Sequence, residues 1–242
     1  MNTIKINKGS AKLVAHRGVS KLERENTNAA FIAAGNRSYY GIETDIHKTR
    51  DGVFVAIHDQ NTKRITNDAA DIDVCQVNFD QIKEIVLPDI DGNTYRQDLR
   101  IPLLEEYIDI CKKYDKVGVL ELKDVFSTDD LERIIDIIQE RDYLHGVTFI
   151  SFIRDNCTLL RQLLPEQPIQ LLLAEAVTEE DKCLIYKNRF DIDIYYPKLD
   201  EATVRELHEN NVKINCWTCD DPDEAANLIA MGVDYITTNL LE

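Results

Sequence analysis

Two short runs, Ala15-His16-Arg17-Gly18 and Gly41-Ile42-Glu43-Thr44-Asp45, are followed by His58-Asp59. They put two histidines, an arginine and two site-grade carboxylates in the first quarter of the chain, along or at the ends of segments that read as strands. Imidazole, guanidinium and carboxylate together suit three tasks: holding a divalent cation, binding a phosphate and moving protons. A hydrophobic core has no use for so many charges, so the spacing predicts a shared site.

The segments Tyr40 to His47 and Val53 to His58 flank Lys48-Thr49-Arg50-Asp51-Gly52, whose Asp-Gly pair is a strong hairpin signal. So short a connection permits only an antiparallel return. With the turn centred between Arg50 and Asp51, Asp45 faces Ala56 and Glu43 faces His58. Alternation puts Glu43, Asp45 and His47 on one face, and this register brings the second histidine beside the carboxylates.

The chain has 242 residues, close to the ~250 of a typical (β/α) barrel, and its 44% hydrophobic content is ample for a core. A net charge of −16 disfavours nucleic acid and stable membrane association. It also means that an anionic ligand needs a metal or converging basic groups. No apolar run approaches the roughly 20 residues of a membrane span, and Met1-Asn2-Thr3-Ile4-Lys5 does not read as a secretory signal. A cytoplasmic protein is the expectation. Of six cysteines, only Cys216 and Cys219 have Cys-x-x-Cys spacing, and they straddle Trp217 on an expected strand. A redox motif would open a helix and zinc would need two more ligands, so reduced thiols are expected.

Strands are expected at Lys12–Arg17, Tyr40–His47, Val117–Lys123, Val147–Phe152, Ile169–Ala174, Asp191–Pro197, Val212–Thr218 and Tyr235–Thr238. Helical periodicity occupies Asn28–Arg37, Leu103–Tyr114, Thr128–Arg141, Arg154–Leu164, Glu179–Lys187, Asp200–Asn210 and Pro222–Met231. Eight strands alternating with seven helices predict an α/β fold, a single TIM-like (β/α)8 barrel over residues 1–242, with the Val53–His58 return strand outside the count. Gln60–Arg100 breaks the rhythm. It is polar and acidic, with one helical patch at Phe79–Val86, and reads as an insertion beside the barrel mouth, too small for a secure core of its own.

Barrel chemistry gathers where strands end. His16 and Arg17 close the first expected strand, Glu121 and Lys123 the third, and Trp217 nearly closes the seventh. Glu43, Asp45 and Glu121 then form an oxygen shell for one hard cation, Mg²⁺ or Ca²⁺, with Mn²⁺ as an alternative. Glu121 and Lys123 alone would be an internal ion pair; beside Glu43 and Asp45 they read as part of the site. Two histidines, His16 and His58, suit phosphate-ester hydrolysis, one accepting a proton and the other donating one. Arg17 and Lys123 can neutralise phosphate oxygens. His47, His145 and His208 read as structural or solvated.

The ordered runs His16-Arg17-Gly18, Glu25-Asn26-Thr27, Ala30-Phe31, Gly41 to Asp45, Thr49 to Gly52 and His58-Asp59 resemble the signature of glycerophosphodiester phosphodiesterases. Ile101 to Glu106, Glu121-Leu122-Lys123, Ser151-Phe152 and Trp217-Thr218 extend the resemblance from about Leu13 to Thr238. It implies a TIM-like barrel with an inserted subdomain, a divalent metal, and hydrolysis to glycerol 3-phosphate and an alcohol. It also implies His16 and His58 as the acid/base pair, and Glu43, Asp45 and Glu121 as metal ligands. Arg17 and Lys123 would hold phosphate, Asn26 would steady the loop after the first strand, and Trp217 would line the substrate pocket. In the implied route the metal holds a glycerol hydroxyl and a phosphate oxygen, the neighbouring hydroxyl attacks phosphorus, and water opens the cyclic phosphate. Tethering the nucleophile exploits proximity.

Three positions depart from the family pattern: Arg24 replaces proline, Leu103 replaces a threonine and so removes a helix cap, and Asn239 replaces an aspartate. The ligands and histidines are intact, so turnover of water-soluble substrates such as glycerophosphocholine or glycerophosphoethanolamine is expected. A phospholipase D-like enzyme for lysophospholipids would instead need an exposed apolar rim, of which Gln60–Arg100 shows little. A phosphate-binding barrel without turnover would lack a histidine or a metal carboxylate. A homo-oligomer is compatible with the chain.

Overall fold

The computed structural model describes residues 2–242; Met1 lies outside the described residues. Strand β1 (Lys12–Ala15) leads through α1 (Asn28–Gly35) to β2 (Gly41–Lys48) and its hairpin partner β3 (Phe54–Ala56). After a long irregular connection, α2 (Leu104–Tyr114) precedes β4 (Val117–Leu122), α3 (Thr128–Glu140) and β5 (Val147–Ser151). The rest alternates as α4 (Arg154–Leu163), β6 (Ile169–Leu173), α5 (Glu179–Asn188), β7 (Asp191–Tyr195), α6 (Glu201–Glu209), β8 (Ile214–Trp217), α7 (Pro222–Met231) and β9 (Tyr235–Thr238). Element ends differ from the expected ones by at most two residues.

The parallel strands close on themselves, because β1 bonds β9 on one side and β2 on the other. Only β3 is antiparallel, and it lies outside the ring against β2. The expected (β/α)8 barrel is the observed architecture. Local chemistry sets the helix ends. Ser127 caps α3 by accepting the Asp130 N–H, Asp221 caps α7 ahead of Pro222, and Gly232 at φ +95° stops it. At Leu103 the cap is lost as expected, and only the reverse bond remains, from the Leu103 N–H to Glu106 Oε2 at 2.8 Å.

Alternation along the strands divides the core. Leu13, Ile42, Leu120, Phe149, Ile192, Ile214 and Ile236 point outward to pack under the helices. Val14, Val119, Ile150 and Leu172 point inward and fill the barrel. Among the described residues no helix is long and apolar enough to cross a membrane. The six cysteines are free thiols, with Cys216 and Cys219 buried.

Two expectations need correction. The hairpin pairs Ile46 with Ala56 and His47 with Val55, one residue off the expected register. Extended, that ladder would put His58 opposite Thr44 on the outward face. It does not extend: β3 ends at Ala56, the Ile57 N–H makes one last bond to Asp45 O at 3.0 Å, and the chain then bends. The helical patch at Phe79–Val86 shrinks to the 3₁₀ turn Phe79–Gln81. Its i to i−3 bonding lets Ile82 join Ile65, Val74, Leu87 and Leu99 in a small cluster with Val55 of β3. The insertion therefore shares its core with the hairpin.

Candidate active site

The C-terminal ends of the strands deliver the charged residues to one cavity of about 160 Å³, which His16, Arg17, Glu43, His58, Glu121, Lys123 and Trp217 all line. Asp45 and Asn26 lie buried directly behind them. The loop after β1 is unusual in its backbone. Arg17 and Asn26 both take left-handed conformations, at φ +53° and +51°, and the Asn26 N–H donates to Arg17 O at 3.0 Å. Gly18 sits between them at φ +77°, where a Cβ would meet Ala30 at 2.6 Å. That conformation aims the Arg17 N–H at Glu43 Oε2, 2.7 Å away.

Glu43, Asp45 and Glu121 are all buried, and each offers a carboxylate oxygen within 4.8 Å of the others. Arg17 and Lys123 are the compensating cations. Arg17 Nε lies 3.3 Å from Asp45 Oδ2, and Lys123 Nζ lies 2.9 Å from Glu121 Oε1 and 3.4 Å from Asp45 Oδ1. Asn26 Nδ2 donates to Asp45 Oδ2 at 2.8 Å, while its Oδ1 accepts from Thr44 at 2.7 Å. Burial alone would raise the Asp45 pKa, but Arg17 and then Lys123 hold it well below the ordinary range. Glu43 and Glu121 go the other way, pushed up by burial and then by the charge of Asp45. An uncompensated buried ion costs several kcal/mol, and three acids against two cations leave one charge unanswered. A divalent cation answers it, so this donor set fits one.

Both site histidines have a defined tautomer. Asp220 Oδ2 accepts from Asn239 Nδ2 at 2.7 Å, which leaves Asn239 Oδ1 to face His16 Nδ1 at 2.8 Å. His16 therefore carries its proton on Nδ1 and keeps Nε2 open, 4.0 Å from Glu43 Oε2. Burial, and then the charge of Arg17, lowers its pKa to about 4, so the ring is neutral at pH 7. His58 Nδ1 lies 2.6 Å from the acceptor Asp59 Oδ1, which again leaves Nε2 open. Its pKa is lowered by burial, with Asp45 and Asp59 opposing the shift. His47 does another job: its ring nitrogens face Asp124 Oδ1 at 2.7 Å and His58 O at 3.1 Å, fixing the backbone where the hairpin bends. His145 meets Tyr143 edge to face and His208 pairs with Asp234, both away from the cavity.

The apolar wall comes from Ile150, Leu172, Phe152 and Trp217. Phe152 meets Trp217 edge to face with ring centroids 5.7 Å apart, and Trp217 Nε1 donates to Asp193 O at 3.1 Å. Sequence reasoning missed four supporting groups. Asp220 precedes the α7 cap Asp221, and nothing in its position signals the site. Arg64, from the insertion, holds Asp59 through Nε at 2.7 Å and Glu25 through Nη1 and Nη2 at 2.9 and 2.8 Å, and Glu25 in turn holds Arg17 at 2.8 Å. Arg24, where the family has proline, reaches the carbonyl of Ile65 in the same insertion. Asp193 lines the cavity at 2% exposure with Oδ1 unpartnered; its only signal was the alternation Asp191-Ile192-Asp193-Ile194. A larger cavity of about 310 Å³ opens at the opposite end of the barrel, but its Arg161 is committed to backbone carbonyls of Leu164, Pro165 and Gln167.

Residues 16–242 match the Glycerophosphoryl diester phosphodiesterase family. A glycerophosphodiester phosphodiesterase of Caldanaerobacter subterraneus subsp. tengcongensis is 28% identical over 229 residues, covering 94% of this chain and 93% of that protein. A solved glycerophosphodiester phosphodiesterase of Parabacteroides distasonis has a TM-score of 0.81 at 26% identity, covering 97% of this chain and 94% of its own. A phosphodiesterase of Oleispira antarctica, solved in complex with sn-glycerol-3-phosphate, shares the fold with a TM-score of 0.82 at 22% identity, over 95% of this chain and 93% of its own. With the family match running from the first site histidine to the last residue, this chain belongs to the glycerophosphoryl diester phosphodiesterase family.

Proposed function

We propose that this enzyme hydrolyses soluble glycerophosphodiesters to glycerol 3-phosphate and an alcohol, using one divalent cation and the His16/His58 pair. The observation that carries the reading is the meeting of three buried carboxylates with two imidazoles whose Nδ1 atoms are engaged and whose Nε2 atoms are open. Glu43, Asp45 and Glu121 would hold the cation. Two oxygens on one ion stand no farther apart than twice the metal–oxygen distance, roughly 4.6–5.2 Å for Ca²⁺ and about 4.2 Å for Mg²⁺. The three ligand oxygens lie within 4.8 Å of one another, close enough to share one ion. When bound, the cation supplies positive charge beside the phosphate and lowers the pKa of a neighbouring hydroxyl.

The protein's own groups divide the remaining work. Arg17 and Lys123 draw the phosphate oxygens into place. Neutral His16 takes the proton from the glycerol 2-hydroxyl through Nε2 as that oxygen attacks phosphorus. His58, whose protonated form is opposed by burial and supported by Asp45 and Asp59, gives its proton to the departing alcohol oxygen. The product of this step is a cyclic phosphate. His58 then takes a proton from water as it adds to phosphorus, and His16 returns its proton to the 2-oxygen. One water is consumed, and both histidines regain their starting states. Acid–base assistance of this kind contributes about 10²–10⁴-fold.

Purified protein with Ca²⁺ or Mg²⁺ and glycerophosphocholine tests the reading: glycerol 3-phosphate and choline appear in equal amounts. His16→Ala abolishes turnover and leaves cation binding intact. Failure of metal-loaded protein to release glycerol 3-phosphate from any of several head groups overturns the proposal.

A specific observation favours a second substrate class. Val125, Phe152 and Tyr195 are exposed by 78%, 44% and 38%, and each lies at or just after the C-terminal end of a barrel strand. Such a rim can receive an acyl chain. Faster turnover of a lysophospholipid than of its deacylated counterpart establishes that reading instead.

A further inference from the structure

Asp193 is the ionisable side chain of the cavity that the proposed chemistry leaves idle. It sits in the middle of β7, between Ile192 and Ile194, which point outward into the helical layer. Alternation therefore aims Asp193 into the barrel, where it lines the same cavity as His16, Glu43 and Glu121. Only 2% of the residue is exposed, and Oδ1 meets no donor. Acceptors this deep are paired in the great majority of proteins.

The donors on the adjoining strands β8 and β9 are already committed. Trp217 Nε1 donates to the backbone oxygen of Asp193, not to its carboxyl. Thr237 donates to Asn215 at 3.2 Å, and Asn215 donates to Gln170 at 3.4 Å. Lys123 is held between Asp45 and Glu121. Ile150 and Leu172 complete the wall and offer no donor. Asp193 also lies outside the three-carboxylate cluster, so it is no fourth ligand of that set. An occupant of the cavity can bring the donor that Oδ1 lacks. A phosphate diester supplies acceptors only, whereas an alcohol hydroxyl supplies an O–H.

We infer that Asp193 accepts a hydrogen bond from the terminal hydroxyl of the glycerol unit and thereby selects glycerol esters over esters of simpler diols. The inference rests on the hydrolytic reading above. With the phosphate drawn to Arg17 and Lys123, a three-carbon unit directed into the barrel fits a cavity of about 160 Å³. The variable alcohol is left toward the mouth, where Phe152 is exposed. The 2-hydroxyl attacks and the third carbon carries phosphorus, so the hydroxyl on the first carbon is the one free to meet Asp193. A pocket built to bond a hydroxyl rejects the analogue that lacks it, because the buried acceptor is then stranded.

The test compares glycerophosphocholine with the phosphocholine ester of 1,2-propanediol, which keeps the attacking hydroxyl and lacks the terminal one. Wild type is expected to favour the glycerol ester by about tenfold or more in kcat/KM. In Asp193→Ala the preference falls below about threefold, through loss on the glycerol ester alone. Asp193→Asn, which keeps an acceptor oxygen, retains part of it. Thermal melts of both variants should match or exceed wild type, since an unpartnered buried carboxyl is removed. Equal loss on both esters, an unchanged preference, or an effect that follows the head group when ethanolamine replaces choline overturns the assignment. Calorimetric binding of glycerol 3-phosphate against 1,2-propanediol 1-phosphate to the metal-loaded protein decides it without turnover. If wild type hydrolyses neither ester, the hydrolytic reading fails, and the two binding constants still judge Asp193.

Discussion

Asn239 turns its amide oxygen, not its nitrogen, toward His16 Nδ1, 2.8 Å away. The orientation is imposed by Asp220, whose two oxygens take the Asn239 side-chain and backbone N–H groups at 2.7 Å each. The family often has aspartate where Asn239 stands. Here the negative charge has moved one residue outward in the bonding chain, and the histidine keeps its tautomer through a neutral relay. Asp220→Ala frees the amide to rotate and present a donor to His16. The expected result is a fall in kcat of about 10- to 100-fold with little change in KM, read from steady-state kinetics.

His58 depends on Asp59 in a second way, through charge. The Asp59 carboxylate favours the protonated imidazole, and Asp59→Asn removes that support. The His58 pKa then drops further. If His58 is the group that protonates the leaving oxygen, its acid form is lost at a lower pH. The alkaline limb of kcat/KM therefore moves to lower pH, whereas a shift to higher pH would assign His58 the opposite role.

Arg64 links the insertion to the loops that carry Arg17 and His58, and Glu25 is the acid through which it reaches Arg17. Burial alone would raise the Glu25 pKa, but the bonds from Arg64 and the charges of Arg17 and Arg64 bring it from 4.5 to about 2. As pH falls, the unfolded chain takes up this proton first. The stabilisation is full above about pH 4.5 and is lost progressively toward pH 2. It is on the order of 3 kcal/mol. Denaturant melts across that range should show Glu25→Gln less stable than wild type at pH 7 and the gap closing as pH falls.

A cation that binds the folded protein alone also stabilises it, by about 2.7 kcal/mol at a hundred times its dissociation constant. Ca²⁺ should thus raise the melting temperature of wild type and leave that of the triple variant Glu43→Gln, Asp45→Asn, Glu121→Gln unchanged. An equal rise in both would locate the ion elsewhere.

The alternation of strands and helices was legible because it is written in periodicity, and so were the residues whose type and position along strands are themselves the signal, such as Glu43, Asp45 and Glu121. His58 was assigned correctly to the cavity for a mistaken reason. The hairpin register is off by one, and the residue enters because β3 stops at Ala56 and His47 pins the bend, a tertiary event that no two-residue period encodes. Arg64 and Asp220 were illegible as site residues because they act through other side chains, Glu25 and Asp59 for the one and Asn239 for the other, rather than by entering the cavity. Asp193 was hidden differently: a polar residue alternating with isoleucine reads as a half-solvated strand, and only barrel closure turns its polar face inward.

The central claim is that Glu43, Asp45 and Glu121 hold one cation on which phosphodiester hydrolysis depends. Release of glycerol 3-phosphate from glycerophosphocholine by metal-stripped protein, followed as Ca²⁺ or Mg²⁺ is returned, tests it most directly. Release that is absent without metal, rises to saturation as metal is added, and stays absent in Glu121→Ala at every metal concentration is the predicted result. Metal-stripped protein that releases glycerol 3-phosphate at the full rate, or Glu121→Ala that matches wild type, would contradict it.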